Sequence, residues 1–256
     1  MAVPGRPPIV RSGYDRRLRD YLARNGPVAG LVAGAGNVQS AMLLMENATG
    51  TVDTTNKWTT AVGGTGSAAA ISYVEQGLPV VSLVCAADLD TTALSSKALF
   101  ASPTIAATPA NYVYKKLIAE WNVIFEQAVT RVATGSTFLG LGFNASSLGT
   151  TNNVMGFRFG ASSKWDSVVD QGGTEETTAG ITAAIVTNAV NKMRMEMSNA
   201  QVLFYYNDAL VATHNNTTPA TIPVVPMRFC AYLAQTGASA ANMGITSLRC
   251  YLKDEV

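Results

Sequence analysis

The chain has 256 residues, of which 48% are apolar and only 14% charged, against about 25% charged in an ordinary soluble domain. Eighteen Lys+Arg against seventeen Asp+Glu leave a net charge of +1. This excludes bulk disorder, which needs low hydrophobicity with high net charge, and a chain-wide basic surface for nucleic acid. So few charges on a Thr/Ala/Gly-rich body predict that much of its surface is hidden in a partner or an assembly.

The N-terminal segment stands apart. Arg6, Arg11, Arg16, Arg17, Arg19 and Arg24 face only Asp15 and Asp20, so the segment carries +4 and the rest of the chain −3. Pro4-Gly5-Arg6-Pro7-Pro8 favours an extended, polyproline-like backbone. Tyr14 to Arg24 has the spacing of a short helix, with Leu18 and Leu22 beside Tyr14 and Tyr21, and Gly26-Pro27 ends it. Ala29 to Gly36 is a Gly/Ala-rich hinge. Residues 1–36 therefore read as a basic arm with too little apolar surface for a core. The arm is expected to order on an acidic partner surface through its arginines, Tyr14 and Tyr21.

No apolar run follows the early arginines, so no secretory signal is expected. The run Leu78 to Ala87 is broken by Pro79 and Ser82 and too short for a bilayer. Cys85, Cys230 and Cys250 are an odd count without CxxC spacing, which fits buried thiols in a reducing compartment better than a zinc site or a disulfide framework.

Strand signals fill the remainder. In chain order they are Val38 to Met45, Ala68 to Val74, Leu78 to Ala86, Tyr112 to Ala128, Thr137 to Phe143, Val154 to Gly160 and Lys164 to Val169. Then come Lys192 to Met197, Gln201 to Tyr206, Leu210 to His214, Met227 to Ala234 and Ile245 to Leu252. Glu120, Trp121, Phe125 and Glu126 would suit a helix, but Tyr112-Val113-Tyr114 and Trp121 to Phe125 are aromatic and β-branched, which favours a strand. Thr178 to Val190 has no clear period. Short segments between Gly/Asn/Asp/Ser turns predict an all-β antiparallel sandwich over residues 37–256, within which 37–110 either complete the sandwich or form a subdomain.

Residues 191–214 are the clearest stretch. Met193, Met195 and Met197 alternate with Arg194 and Glu196, giving one apolar and one polar face. Ser198-Asn199 and Asn207-Asp208 are turn pairs. The order of polar strand, Ser-Asn-Ala turn, Val-x-Phe-Tyr, Asn-Asp turn and Leu-Val-Ala-Thr-His resembles the concanavalin A-like lectin/glucanase (jelly-roll) family. Phe138 to Phe143, Val154 to Phe159 and Lys164 to Val169 are similar to the strands before it. Pro223 and Pro226 ahead of Met227-Arg228-Phe229 resemble the family's proline-flanked loop. The likeness covers residues 110–252, and Ala209 stands where the family commonly has glycine.

The resemblance raises the question of glycoside hydrolysis, which needs two carboxylates about 5–5.5 Å apart in retaining enzymes. Asp88 and Asp90 have the spacing but sit at a strand end. Glu120 and Glu126 are six apart, and Glu175-Glu176 lie in a Gly/Thr stretch read as a loop. None reproduces the family's Glu-x-Asp-x-x-Glu motif. His214 is the only histidine. It reads as a loop residue and cannot make a multi-histidine metal site. No Gly-x-Ser-x-Gly elbow supports a Ser/His/Asp triad. Asn207-Asp208 and the pair Asp166 and Asp170 read as turns rather than calcium ligands. No catalytic residue, metal or cofactor is assigned. Sugar binding, which the resemblance implies, would draw on stacking by Trp165, Tyr205 and Tyr206, with Tyr232 a further aromatic.

Arm, hinge and lectin-like sandwich together resemble tailed-phage virion proteins in style. The expected function is a non-enzymatic head-decoration (cement) protein, made in the host cytoplasm and carried on the capsid exterior. Its expected partners are the major capsid protein and further copies of itself as a dimer or trimer, with no nucleic acid and no membrane. The alternative is a carbohydrate-binding tail fibre, spike or lectin module touching a surface glycan, and behind it a glycoside hydrolase.

Overall fold

A computed structural model describes residues 41–42, 54, 58–64, 68–73, 79–86, 90–97, 116–126, 129–142, 153–198, 200–215, 221–223, 225, 227–237 and 239–253. The arm and hinge over 1–36 lie outside the described residues.

Fifteen strands are described: β1 (Ala41–Met42), β2 (Trp58–Gly63), β3 (Ala68–Tyr73), β4 (Pro79–Cys85), β5 (Thr91–Ser96), β6 (Lys116–Phe125), β7 (Phe138–Gly142), β8 (Val154–Phe159), β9 (Trp165–Gln171), β10 (Thr174–Thr178), β11 (Asn191–Met197), β12 (Gln201–Tyr206), β13 (Ala209–Asn215), β14 (Arg228–Ala234) and β15 (Ala241–Lys253). Two single 3-10 turns, Val129–Arg131 and Ala161–Ser163, are the only helical elements among the described residues. The strands form two antiparallel sheets. One runs β13-β12-β11-β6-β15-β4-β3, with β1 paired to β15. The other runs β10-β9-β8-β7-β14-β5-β2. Strands β2 to β5 thus belong to the same two sheets as the C-terminal strands.

The core lies between the sheets because alternation puts every second side chain inward. From the first sheet come Leu117, Ala119, Trp121, Val123 and Phe125 of β6, Met193, Met195 and Met197 of β11, and Val202 and Phe204 of β12. Leu139, Leu141, Met155, Phe157, Trp165, Val169 and Phe229 answer from the second. A chain of aromatic contacts runs through it: Trp58 on Phe229, Phe229 on Trp121, Trp121 on Phe157 and Phe157 on Phe204, all edge-to-face at 5.2–6.2 Å. The segment at Trp121 to Phe125 is a strand, as its side chains require: a helix would scatter the five inward residues of β6 around its axis.

Three strands fell outside the sequence pattern. β5 reads Thr-Thr-Ala-Leu-Ser-Ser, yet five of its six residues are buried. Two of its hydroxyls are matched internally: Thr92 Oγ1 donates to the Val84 carbonyl at 2.6 Å, and Ser96 Oγ accepts from the Phe229 N–H at 3.0 Å, whereas the buried Ser95 hydroxyl has no hydrogen-bond partner. β2 is mostly exposed or half-buried, and β10 is an exposed edge strand of Thr and Glu. Glu175 and Glu176 are therefore in a strand, not a loop.

The turn at 207–208 forms without glycine. Asn207 and Asp208 both take positive φ, 47° and 68°, the signature of a type I′ hairpin in which Asn and Asp tolerate the left-handed region. Ala209 already belongs to β13. Cys85 and Cys230 are buried and joined in no disulfide. Burial pushes the Cys85 thiol up to about 11 and that of Cys230 higher still, so both are held as thiols and behave as small core residues.

Candidate functional site

The outer face of the first sheet carries a polar groove of about 300 Å³, lined by Glu120, Asn122, Lys192, Arg194, Tyr205, Asp208 and Ser247. The register orders these residues. Tyr205, Arg194 and Glu120 stand side by side across β12, β11 and β6. Lys192, Asn122 and Ser247 form the next row across β11, β6 and β15. Trp121 and Met193 also line it. Their side chains are in the core, so they offer backbone only. The Arg194 guanidinium lies 3.9 Å from the Tyr205 ring centroid and 3.2 Å from Glu196. Lys192 Nζ is 3.4 Å from Asp208 Oδ2. The lining thus holds two cations, Lys192 and Arg194, and two carboxylates, Glu120 and Asp208, with Glu196 a third carboxylate beside Arg194 just outside it.

A second polar cluster closes the far edge of the sandwich. His214 of β13 reaches from the first sheet to the second, with Nε2 2.7 Å from Ser167 Oγ of β9 and Nδ1 3.1 Å from Glu176 Oε1 of β10. The latter is a close approach without the alignment of a hydrogen bond. The Phe204 ring packs edge-on against the imidazole at 5.3 Å. His214 is fully buried, which corrects its reading as a loop residue. Burial pushes its pKa below the ordinary value, and Glu176 offsets only part of this. Neutral imidazole is thereby favoured, with the Ser167 hydroxyl donating to Nε2 and the Nδ1–H facing Glu176.

Serine, histidine and glutamate in this order resemble a hydrolytic triad, but the surroundings oppose that chemistry. Ser167 is itself fully buried, so no substrate carbonyl reaches Oγ. It sits mid-strand, paired with Phe157 on one side and Thr178 on the other. Its neighbouring N–H groups are therefore spent on the ladder and build no oxyanion hole.

The acids on the outer face of the second sheet are structural. The register sets Glu175 opposite Asp170, yet both are committed. Arg158 clamps both oxygens of Glu175, at 3.0 and 2.6 Å, and holds its carboxyl below the ordinary value. A glycosidase acid needs the opposite shift. Asp170 Oδ1 accepts from the N–H groups of Asn153 and Gly173, and Asp166 Oδ1 accepts from that of Gly180. Glu120 and Glu126 flank an unbroken stretch of β6, about 20 Å apart at strand rise. Glu126 accepts from Asn242. Asp88 lies outside the described residues. No group of three His, Cys, Asp or Glu placed to hold a metal occurs among the described residues.

Of the predicted stacking residues, only Tyr205 lines the groove. Trp165 is fully buried against Phe125 and Phe159, which corrects its assignment: the ring has no face left for a sugar. Tyr206 is half-buried, and its hydroxyl donates to Asn191 Oδ1 at 2.5 Å. Tyr232 packs on a small outer cluster with Phe138, Val154, Val168 and Cys230. The arm residues Arg6, Arg11, Tyr14, Arg16, Arg17, Arg19, Tyr21 and Arg24 lie outside the described residues. Sequence reading missed the groove because its members come from four strands. The signal present was parity: Arg194, Glu120 and Tyr205 all fall on the solvent side of their alternations.

No known sequence family and no curated protein sequence matches the chain. Solved structures do. An endo-acting O-glycanase of the human gut microbiota, described as initiating mucin breakdown, superposes with a TM-score of 0.55 at 11% identity, covering 81% of this chain and 97% of that one. The carbohydrate recognition domain of Emp46p in its metal-free form gives 0.50 at 12% identity over 76% and 87%. The fold is the concanavalin A-like sandwich. A structure of botulinum neurotoxin type C, whose cell entry depends on interaction with two ganglioside molecules, gives 0.51 at 9% identity over 85% of this chain. The chain spans about half, 48%, of that neurotoxin chain. Lectin-like and hydrolase domains share this sandwich, so the fold by itself does not choose between them.

Proposed function

We propose that this chain is a non-enzymatic structural protein of a tailed-phage particle, a decoration protein that braces the outside of the head. The observation that carries the non-enzymatic part is the commitment of the polar groups. The buried Ser167 and His214, with the half-buried Glu176, tie the two sheets together, and Asp166, Asp170 and Glu175 are held by backbone N–H groups or by Arg158. The low charge of the body and the +4 arm support the assembly part. The arm would lie on an acidic or strand-edge surface of the major capsid protein, and copies of the sandwich would pack as a symmetric oligomer. Deleting residues 1–24 tests this. The truncated protein is expected to keep its β-sheet circular dichroism and to lose co-sedimentation with particles, and undiminished attachment would refute the arm's role.

The second reading is a carbohydrate-binding module of a tail fibre or spike, or a free-standing lectin. The groove favours it, since it sets hydrogen-bonding groups of both signs around Tyr205. The shared fold of a carbohydrate recognition domain is consistent with it.

A further inference from the structure

The edge strands of the two sheets are built differently at the two sides of the sandwich. At the far edge, β10 carries Glu175 and Glu176. Its neighbour β13 is broken by a register shift, where Phe204 pairs with Ala212 but Tyr205 with Leu210, leaving Val211 as an extra residue. Charges and bulges on an edge keep it from pairing with another chain. The near edge has neither. β2 pairs with β5, and β3 with β4, through six consecutive residues each, without a shift. No strand lies beyond β2 or β3 among the described residues. The stretch Trp58 to Tyr73, which spans both strands, contains no Asp, Glu, Lys or Arg. On β2, Thr59, Val62 and Gly63 are exposed. Val62 shares the inward parity of Trp58 and stands opposite the buried Thr92, yet it is 47% exposed. The rim of the core is open at that point.

We propose that β2 pairs antiparallel with β2 of a second copy across a two-fold axis, continuing the second sheet of one molecule into that of the other. The charge pattern selects a second copy over an unlike partner. A two-fold contact sets a patch against itself, so a charge near the axis meets its like, and like charges opposite each other on paired strands are destabilising. A strand edge that pairs with itself must therefore be free of charge, as the near edge is. An unlike partner sets no such condition, because it can answer a charged edge with the opposite sign. Six residues of regular strand, about 20 Å, offer an unbroken row of backbone donors and acceptors for the pairing. The two-fold keeps faces together, so the inward-parity residues of the second β2 come beside Val62 and close the open rim. The contact names how copies of the sandwich would pack, and it rests on the oligomer part of the proposed function.

The test is sedimentation velocity on the full chain over a wide range of concentrations. A reversible dimer is expected. Ala61→Lys, at the middle of β2, and Val62→Lys, at an exposed position, should each weaken the dimer about tenfold or more, since each sets like charges together at the contact. Thermal unfolding of both variants checks that the sandwich still folds. Ala61→Lys mixed with Ala61→Glu should recover a mixed dimer that neither forms alone, a result that a mere folding defect would not give. Thr213→Lys on the exposed part of β13 should leave the dimer unchanged. A dimer indifferent to both β2 variants, or one broken by Thr213→Lys instead, would overturn this edge as the contact and leave the oligomer standing. A trimer would overturn the two-fold pairing. A monomer at every concentration would overturn the proposal together with the oligomer on which it rests.

Discussion

Phe204 is the residue on which the packing of the far edge turns. It is fully buried, projects from β12 across the interior, and meets Phe157 of the opposite sheet at 5.2 Å and the His214 ring at 5.3 Å, both edge-to-face. Truncation to alanine removes the whole ring from a site bounded by two antiparallel ladders that cannot collapse inward. Large-to-small aromatic changes of this kind cost about 3–5 kcal/mol. The two edge-to-face contacts, each worth about 0.5–1.5 kcal/mol beyond burial, place Phe204→Ala in the upper half of that range. Against a total stability of about 5–15 kcal/mol this is a large share, so the variant should unfold at markedly lower urea with an unchanged slope. The assay is equilibrium urea unfolding followed by tryptophan fluorescence and circular dichroism. A cycle with Phe157→Ala should return a coupling of about 0.5–1.5 kcal/mol. A loss below about 1 kcal/mol, or a coupling near zero, would mean that Phe204 does not bridge the sheets.

The His214 cluster makes two further predictions. Because burial lowers its pKa from an ordinary 6.5, the unfolded chain binds more protons than the folded one below that value. Stability should therefore be flat above about pH 6.5 and fall as the pH drops below it; chemical denaturation across pH 5–8 reads this, and a His214→Gln variant should lose the slope. Ser167→Ala should cost about 1–3 kcal/mol by leaving Nε2 without its buried donor, measured by the same unfolding curves, and an unchanged stability would contradict the structural role.

How far the sequence reaches depends on whether a strand has one wet face. β11 announces itself because Met193, Met195 and Met197 go in while Lys192, Arg194 and Glu196 stay out, and the Asn207-Asp208 hairpin follows from the residues that tolerate positive φ. β5 is silent because it is buried through hydroxyls that find partners only in the folded state, at Val84 and Phe229. β10 is silent because an edge strand of Thr and Glu looks like a loop until β9 pairs with it. The groove and the His214 cluster share one reason for being hidden: strands far apart in sequence meet only in the fold, β6 beside β11 through the order of the first sheet and β9 against β13 through the packing of one sheet on the other. Trp165 misled for the related reason that an aromatic's exposure is set by its strand's facing.

Quantitative mass spectrometry of purified particles bears most directly on the idea that this sandwich is a brace without chemistry of its own. A copy number on the scale of the major capsid protein is the predicted result. Presence at a handful of copies, or absence from the particle, would contradict it.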